Sequence, residues 1–192
     1  VSARVVHLLR HGPPLRQGLL LGHTDEPACV SDCREMRDRV RHLALEHVVA
    51  SDLARAARQG EHIARELGLP LRLDPQWREL DFGAWEGLAP QSIDPAALSR
   101  FWDDPEDHAP PGGERWSDLR ARVGEAIGRL ETRTLVITHA GAMRAALSVL
   151  TGLDPRGVWA LDLPYRALLS LRLWPGSPLS GQVIGLVTDS AP

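Results

Sequence analysis

The sequence predicts an α/β protein, a three-layer α/β/α sandwich with a mostly parallel central sheet. Two observations carry this expectation. Short apolar runs rich in β-branched residues recur along the chain, and amphipathic stretches of helical length separate them. The runs are apolar on both faces, as strands covered by helices on each side must be. With 192 residues, 43% apolar and 24% charged, the chain suits one well-buried domain, residues 1–192, and little more.

The first strand is Val5-Val6-His7-Leu8-Leu9, ending sharply at Arg10-His11-Gly12-Pro13-Pro14. Asp32 to Leu45 reads as a helix and His47-Val48-Val49-Ala50 as the next strand. Leu53 to Leu67 is a second helix, stopped by Gly68 and Pro70, and Leu71-Arg72-Leu73 is a short strand. Leu88 to Arg115 then breaks the rhythm with Pro90, Pro95, Pro105 and the run Pro110-Pro111-Gly112-Gly113-Glu114. It is expected to be an insertion with one short helix, Ala96 to Trp102, lying as a lid over a site mouth; a plain surface loop is the alternative. Ser117 to Arg129 forms a helix with Ser117 as N-cap. The buried strand Leu135-Val136-Ile137-Thr138 runs into His139-Ala140-Gly141, and the helix Gly141 to Leu150 stops before Gly152. Ala167 to Leu173 and Gln182 to Val187 are the last strands.

Composition narrows the function. A net charge of −3 argues against a general nucleic-acid or membrane-surface binder. No apolar run reaches membrane-spanning length. Val1 to Leu9 is too short for a signal peptide and lacks a cleavage pattern. Cys29 and Cys33 are no disulfide framework, so a reducing, cytoplasmic location is expected. With His23 they lack a fourth ligand at zinc spacing, so no metal site is expected.

Ligand crevices in α/β sheets lie beyond the carboxyl ends of the strands. Two apolar strands here end in histidine, His11 and His139, and on adjacent strands their backbones would stand about 4.8 Å apart. Arg10 precedes one of them. Arg55, in Ser51-Asp52-Leu53-Ala54-Arg55-Ala56, follows another strand at the start of a helix. Permanently charged planar guanidinium groups match phosphate oxygens, and a helix N-terminus would add to them. His7, inside its strand, reads as structural, and Arg58 as part of a solvated helix face.

Arg10-His11-Gly12 resembles the RHG signature of the histidine phosphatase superfamily, which includes cofactor-dependent phosphoglycerate mutases. Ser51-Asp52-Leu53-Ala54-Arg55-Ala56 resembles its second arginine motif. Glu79-Leu80-Asp81-Phe82-Gly83-Ala84-Trp85-Glu86-Gly87 resembles its E-x-x-F/Y-G-x-x-E-G segment. Val136 to Arg144 resembles the segment around its second histidine. The stretches Asp103 to Pro105 and Pro110 to Glu114, with Arg122-Val123, look most like α-ribazole phosphatases, which act in cobalamin assembly.

The resemblance implies a phosphoglycerate mutase-like fold and a phosphoric monoester hydrolase without metal or other cofactor. His11 would be the nucleophile, with Arg10, Arg55 and His139 on the phosphoryl oxygens. Glu79 would be general acid and base, although on its own it reads as a surface partner of Arg78. Glu86 would orient a loop. Gly12, Gln17, His23, Ala140, Trp102 and Tyr165 would contact the substrate. Trp102 and Trp116 suit a substrate wall or core packing equally, and His23 suits an exposed loop as well as a phosphate.

The sequence departs from the family at Pro13-Pro14, at Gln17 where Asn often meets phosphate, at Ala28 to Asp32, and at Gln59 where Thr is usual. The stretch up to Gly22-His23-Thr24-Asp25 is also shorter than usual. These departures bear on the substrate pocket. The expected partner is a small phosphorylated metabolite, with no nucleic acid and no membrane, and a homodimer is admitted. Phosphoglycerate mutase-type transfer, a catalytically silent phosphate-binding module and a phosphoprotein phosphatase are the competing functions.

Overall fold

The computed structural model describes residues 2–29, 31 and 33–189. Its strands are β1 (Arg4–Arg10), β2 (His47–Ala50), β3 (Leu71–Leu73), β4 (Thr134–Thr138), β5 (Leu168–Trp174) and β6 (Ser180–Val187). They form one sheet in the order β3-β2-β4-β1-β5-β6. The first four in that order run parallel, whereas β5 is antiparallel to β1 and β6 to β5. The chain reaches β5 at the end where β1 finishes, which forces the antiparallel pairing: Arg166 N–H donates to the Arg10 and His11 carbonyls.

The helices are α1 (Cys33–Val40), α2 (Ala54–Leu67), α3 (Pro95–Asp103), α4 (Trp116–Gly128), α5 (Ala140–Thr151) and α6 (Pro155–Trp159). Strand alternation divides the core in two. Val6, Leu8, Val49 and Val136 join one buried cluster with Val123 of α4 and Met143 of α5. Leu9, Val48, Leu135 and Ile137 join the other with Met36 of α1 and Ile63 of α2. Helices therefore cover both faces, giving the expected three-layer sandwich. Among the described residues no helix is long and apolar enough to cross a membrane.

Three boundaries differ from expectation. The first helix stops at Val40, not Leu45, because Leu43 and Leu45 reach the core from a turn that continues the apolar spacing without helix. Asp32, its expected start, lies outside the described residues. Ser117 is not an N-cap: the helix begins at Trp116 after an uncapped Arg115, and the Ser117 N–H and hydroxyl both donate to Glu106. The short α6 was not anticipated, since five residues are too few for a periodic pattern; Asp154 caps it on Gly157 N–H and Pro155 opens it.

Close approach of α2 to the sheet depends on Gly60, where an added Cβ would sit 2.8 Å from Ala50 Cβ. Gly60→Val is expected to lower the unfolding free energy by roughly 1–3 kcal/mol in denaturant titrations. Gly128→Ala, whose added methyl meets nothing within 4 Å, is the control and should be neutral or slightly stabilising.

Candidate active site

Parallel pairing of β1 with β4 places Arg10 opposite Thr138, so the next residues, His11 and His139, emerge side by side. The His11 N–H donates to the Thr138 carbonyl at 2.9 Å. The two rings meet edge to face with centroids 4.9 Å apart. Both are buried, at 4% and 0% exposure, so their protonation states follow from their partners. A cavity of about 320 Å³ opens onto His11, its polar lining completed by Arg10, Arg55, Glu79, Arg144 and Tyr165, while His139 stands behind His11 outside that lining.

The hydrogen bonds fix opposite tautomers. His11 Nδ1 lies 2.6 Å from the Gly12 carbonyl, which can only accept, so Nδ1 carries the proton and Nε2 keeps its lone pair. His139 Nδ1 receives a hydrogen bond from Arg55 Nε–H, so its proton is on Nε2, which is buried without a partner. Burial, then the charges of Arg55 and Arg10, hold His11 well below the ordinary histidine range, with the Gly12 carbonyl opposing them. Burial, Arg55, His11 and Arg10 do the same to His139. One neutral ring thus offers a nucleophilic nitrogen and its neighbour an N–H donor.

Arg55 is 1% exposed, and a buried cation is tolerated only with acceptors around it. Besides His139 it donates to the carbonyls of Thr24, Leu21 and Gly22. Glu86 holds that loop, accepting from the backbone N–H groups of Gly22, His23, Thr24 and Phe82 and from the Thr24 hydroxyl. Burial raises the Glu86 pKa, but these donors together bring it below the usual carboxylate value. Any side chain at Gly22 would collide with the Leu80 carbonyl and the Glu86 carboxylate.

Glu79 is set by its backbone. The carbonyls of Gln76, Arg78 and Glu79 accept from Arg122, and that of Trp77 accepts from the Thr138 hydroxyl. Arg122 is itself held by Glu114 through Nε and Nη2. The Glu79 carboxylate accepts from Leu80 N–H at 2.9 Å and from Gly141 N–H, in the first turn of α5, at 3.0 Å. Arg78 pairs with Asp52, so Glu79 is not its surface partner.

The expected substrate contacts divide. Tyr165, Trp102 and Ala140 line the cavity, and the Tyr165 ring lies 4.0 Å from Arg10 Cζ and 5.5 Å from the His11 ring. Trp116 serves both of its expected roles, 5% exposed in the core and part of the cavity wall. Gly12, Gln17 and His23 do not line the cavity. Gly12 is buried and orients His11, its N–H held by Gln59 Oε1. Gln17 is exposed, because the turn pinned by Leu15 N–H on the Pro27 carbonyl throws residues 15–18 outward. His23 Nε2 donates to the Glu79 carbonyl, which makes it a brace for that backbone. The α2 N-terminus is taken as well, with Ala54 N–H on Asp25. Arg144, Arg122 and Gln59 escaped assignment from sequence; the position of Arg144 one turn beyond Gly141 on the same helix was the available signal.

Two tests follow. Below pH 6.5 an unfolded histidine takes up a proton that His11 and His139 resist in the fold, so stability must fall as pH falls. The limiting slope is about 1.4 kcal/mol per pH unit for each ring. Denaturant unfolding between pH 7.5 and 5.5 should show it, and His139→Asn should reduce it; an unchanged slope in that variant would refute the assigned neutral state. Separately, a methyl at Gly141 would be driven into the Glu79 carboxylate. Gly141→Ala should fold normally yet lose roughly 10²-fold or more in turnover of alkyl phosphates, with a smaller loss for p-nitrophenyl phosphate.

The sequence profile of the histidine phosphatase superfamily (branch 1) matches residues 6–181. A protein of Erwinia tasmaniensis named as a probable phosphoglycerate mutase is 31% identical over 163 residues, 77% of this chain and 75% of that one. The mycobacterial glucosyl-3-phosphoglycerate phosphatase superimposes with a TM-score of 0.85 at 22% identity, covering 95% of this chain and 98% of that one. A candidate alpha-ribazole-5'-P phosphatase from Escherichia coli gives 0.81 at 21% identity, with 97% of each chain covered.

Proposed function

The chain belongs to the histidine phosphatase superfamily, and from that membership and the site geometry we propose that it hydrolyses a small phosphate monoester through a phosphohistidine on His11. The observation that carries this is the pair of neutral imidazoles with opposite tautomers, one lone pair and one N–H side by side within a guanidinium cage.

His11 Nε2 attacks phosphorus in line as the ester P–O bond breaks. Glu79 delivers its proton to the departing alkoxide. Water then attacks the phosphohistidine, Glu79 takes its proton, and the N–P electron pair returns to Nε2, releasing phosphate. His139 Nε2–H, Arg10 and the remaining Nη1 proton of Arg55 meet the equatorial oxygens as charge spreads over them. None of these donors has to reorient, because carbonyls, Tyr165 and other side chains already fix them. The 88–115 segment serves as the lid, its Phe101, Trp102 and Pro105 standing in the cavity wall.

Within this reading one physiological candidate is α-ribazole 5′-phosphate, in cobalamin assembly, on the pattern of Asp103 to Glu114 with Arg122; its flat heterocycle suits the aromatic wall. The identity with the Erwinia protein favours a second reading, phosphoglycerate mutase-type transfer. Incubation with 3-phosphoglycerate and 2,3-bisphosphoglycerate separates the two. Hydrolysis releases inorganic phosphate, whereas mutase action interconverts the isomers without it.

Acid quench of a single turnover with a radiolabelled ester should trap label on His11, and His11→Ala should abolish both adduct and turnover. A turnover-competent enzyme with no adduct would point to direct attack by water. Glu79→Gln should lose roughly 10²–10⁴-fold with alkyl esters and much less with p-nitrophenyl phosphate.

A further inference from the structure

We infer that Arg144 selects the leaving group, binding a carboxylate carried by the alcohol portion of the phosphate ester. This deepens the phosphatase reading and rests on it.

Position comes first. Gly141 N–H holds the Glu79 carboxylate, the group assigned to the leaving oxygen. Arg144 lies three residues further along α5, on the same face and lining the same cavity. Beyond the leaving oxygen, the group that Arg144 meets is the body of the alcohol, while Arg10, Arg55 and His139 serve the phosphoryl side.

The second observation is the state of the guanidinium. Arg10 donates to the Leu163 carbonyl through Nη1, although its Nε too is buried without a partner; Arg55 donates to three carbonyls and His139, and Arg122 to Glu114. Among the described residues no hydrogen bond or ion pair holds Arg144, and its Nε is buried without a partner. The Trp159 ring lies 4.9 Å from its Cζ, a cation–π contact that satisfies none of its N–H donors. A largely desolvated cation without an acceptor is costly, and a ligand anion removes that cost.

The surroundings define the rest of the ligand. Phe101, Trp102, Trp116 and Leu119 line the cavity together with Trp159, so the segment between phosphate and carboxylate is apolar or flat. An ester of this class ranks above α-ribazole 5′-phosphate, whose alcohol portion carries no anion.

The test compares 4-(carboxymethyl)phenyl phosphate with 4-methylphenyl phosphate, whose phenols have similar acidity and differ in the carboxylate. Wild type should favour the carboxylated ester by about tenfold or more in kcat/KM, in line with a charge-assisted hydrogen bond. Arg144→Gln should bring that ratio close to one, and Arg144→Lys should retain part of it. No preference in wild type, or a ratio unchanged in Arg144→Gln, overturns the proposal. Trp159→Leu should shrink the ratio too, covering a failure of the arginine variant to fold. Calorimetric binding of both esters to His11→Ala and to His11→Ala/Arg144→Gln reads the same difference without turnover. An affinity gap present in the first and lost in the second supports Arg144 even if no ester is hydrolysed, the result that would remove the phosphatase reading; equal affinities in the first overturn it.

Discussion

The site is organised around one burden, a permanently charged guanidinium placed almost wholly out of water. Arg55 cannot shed its proton, so its donors need acceptors inside the protein, and all but one Nη1 proton find them there. The acceptors are the carbonyls of Leu21, Gly22 and Thr24 and the Nδ1 of His139. Those carbonyls converge only because the loop folds over the Glu86 carboxylate, and that fold leaves no room for a side chain at Gly22. The same bond that satisfies Arg55 Nε fixes the tautomer of His139. A residue chosen for its charge thereby orients the ring beside the nucleophile.

Charge and burial act on the histidines in the same direction. Desolvation disfavours an imidazolium, and two neighbouring guanidinium groups disfavour it further. A nucleophile must be unprotonated to attack phosphorus, so in the proposed role of His11 the cage that would bind the phosphate also keeps the ring in the form that role needs. Glu79 is held by a different set, the Arg122 strut, the Thr138 hydroxyl and two backbone N–H groups. The two settings meet at Thr138, whose hydroxyl donates to the Trp77 carbonyl on the Glu79 side and whose carbonyl accepts from the His11 N–H.

Much of this was legible in sequence. Buried strands closing on His11 and His139 put both rings at the carboxyl end of the sheet, with Arg10 at the end of β1 and Arg55 at the start of α2, within reach of the same crevice. The expected contacts that the structure leaves outside the cavity lie in the loop after β1. Gln17 was placed by the family's Asn and His23 by its position after Gly22, but the path of that loop follows from Glu86 and Glu79, remote in sequence, and from the pairing of Leu15 with Pro27. Arg144 was visible within its motif, yet nothing local distinguished a cation facing a cavity from one on a solvated helix.

The sequence by itself determined the layered α/β architecture, most element positions and the placement of His11 and His139 at neighbouring strand ends. Period-two and period-3.6 patterning and strand-end placement are local properties of the chain. Tertiary structure alone decided which nitrogen of each histidine is free, which arginines are tied to carbonyls and carboxylates and that Arg144 is tied to neither, and which loop residues brace the site instead of entering it. Those outcomes depend on acceptors supplied by segments far apart in the chain, and hydrogen-bond saturation is a property of the assembled surroundings that no run of residues encodes on its own.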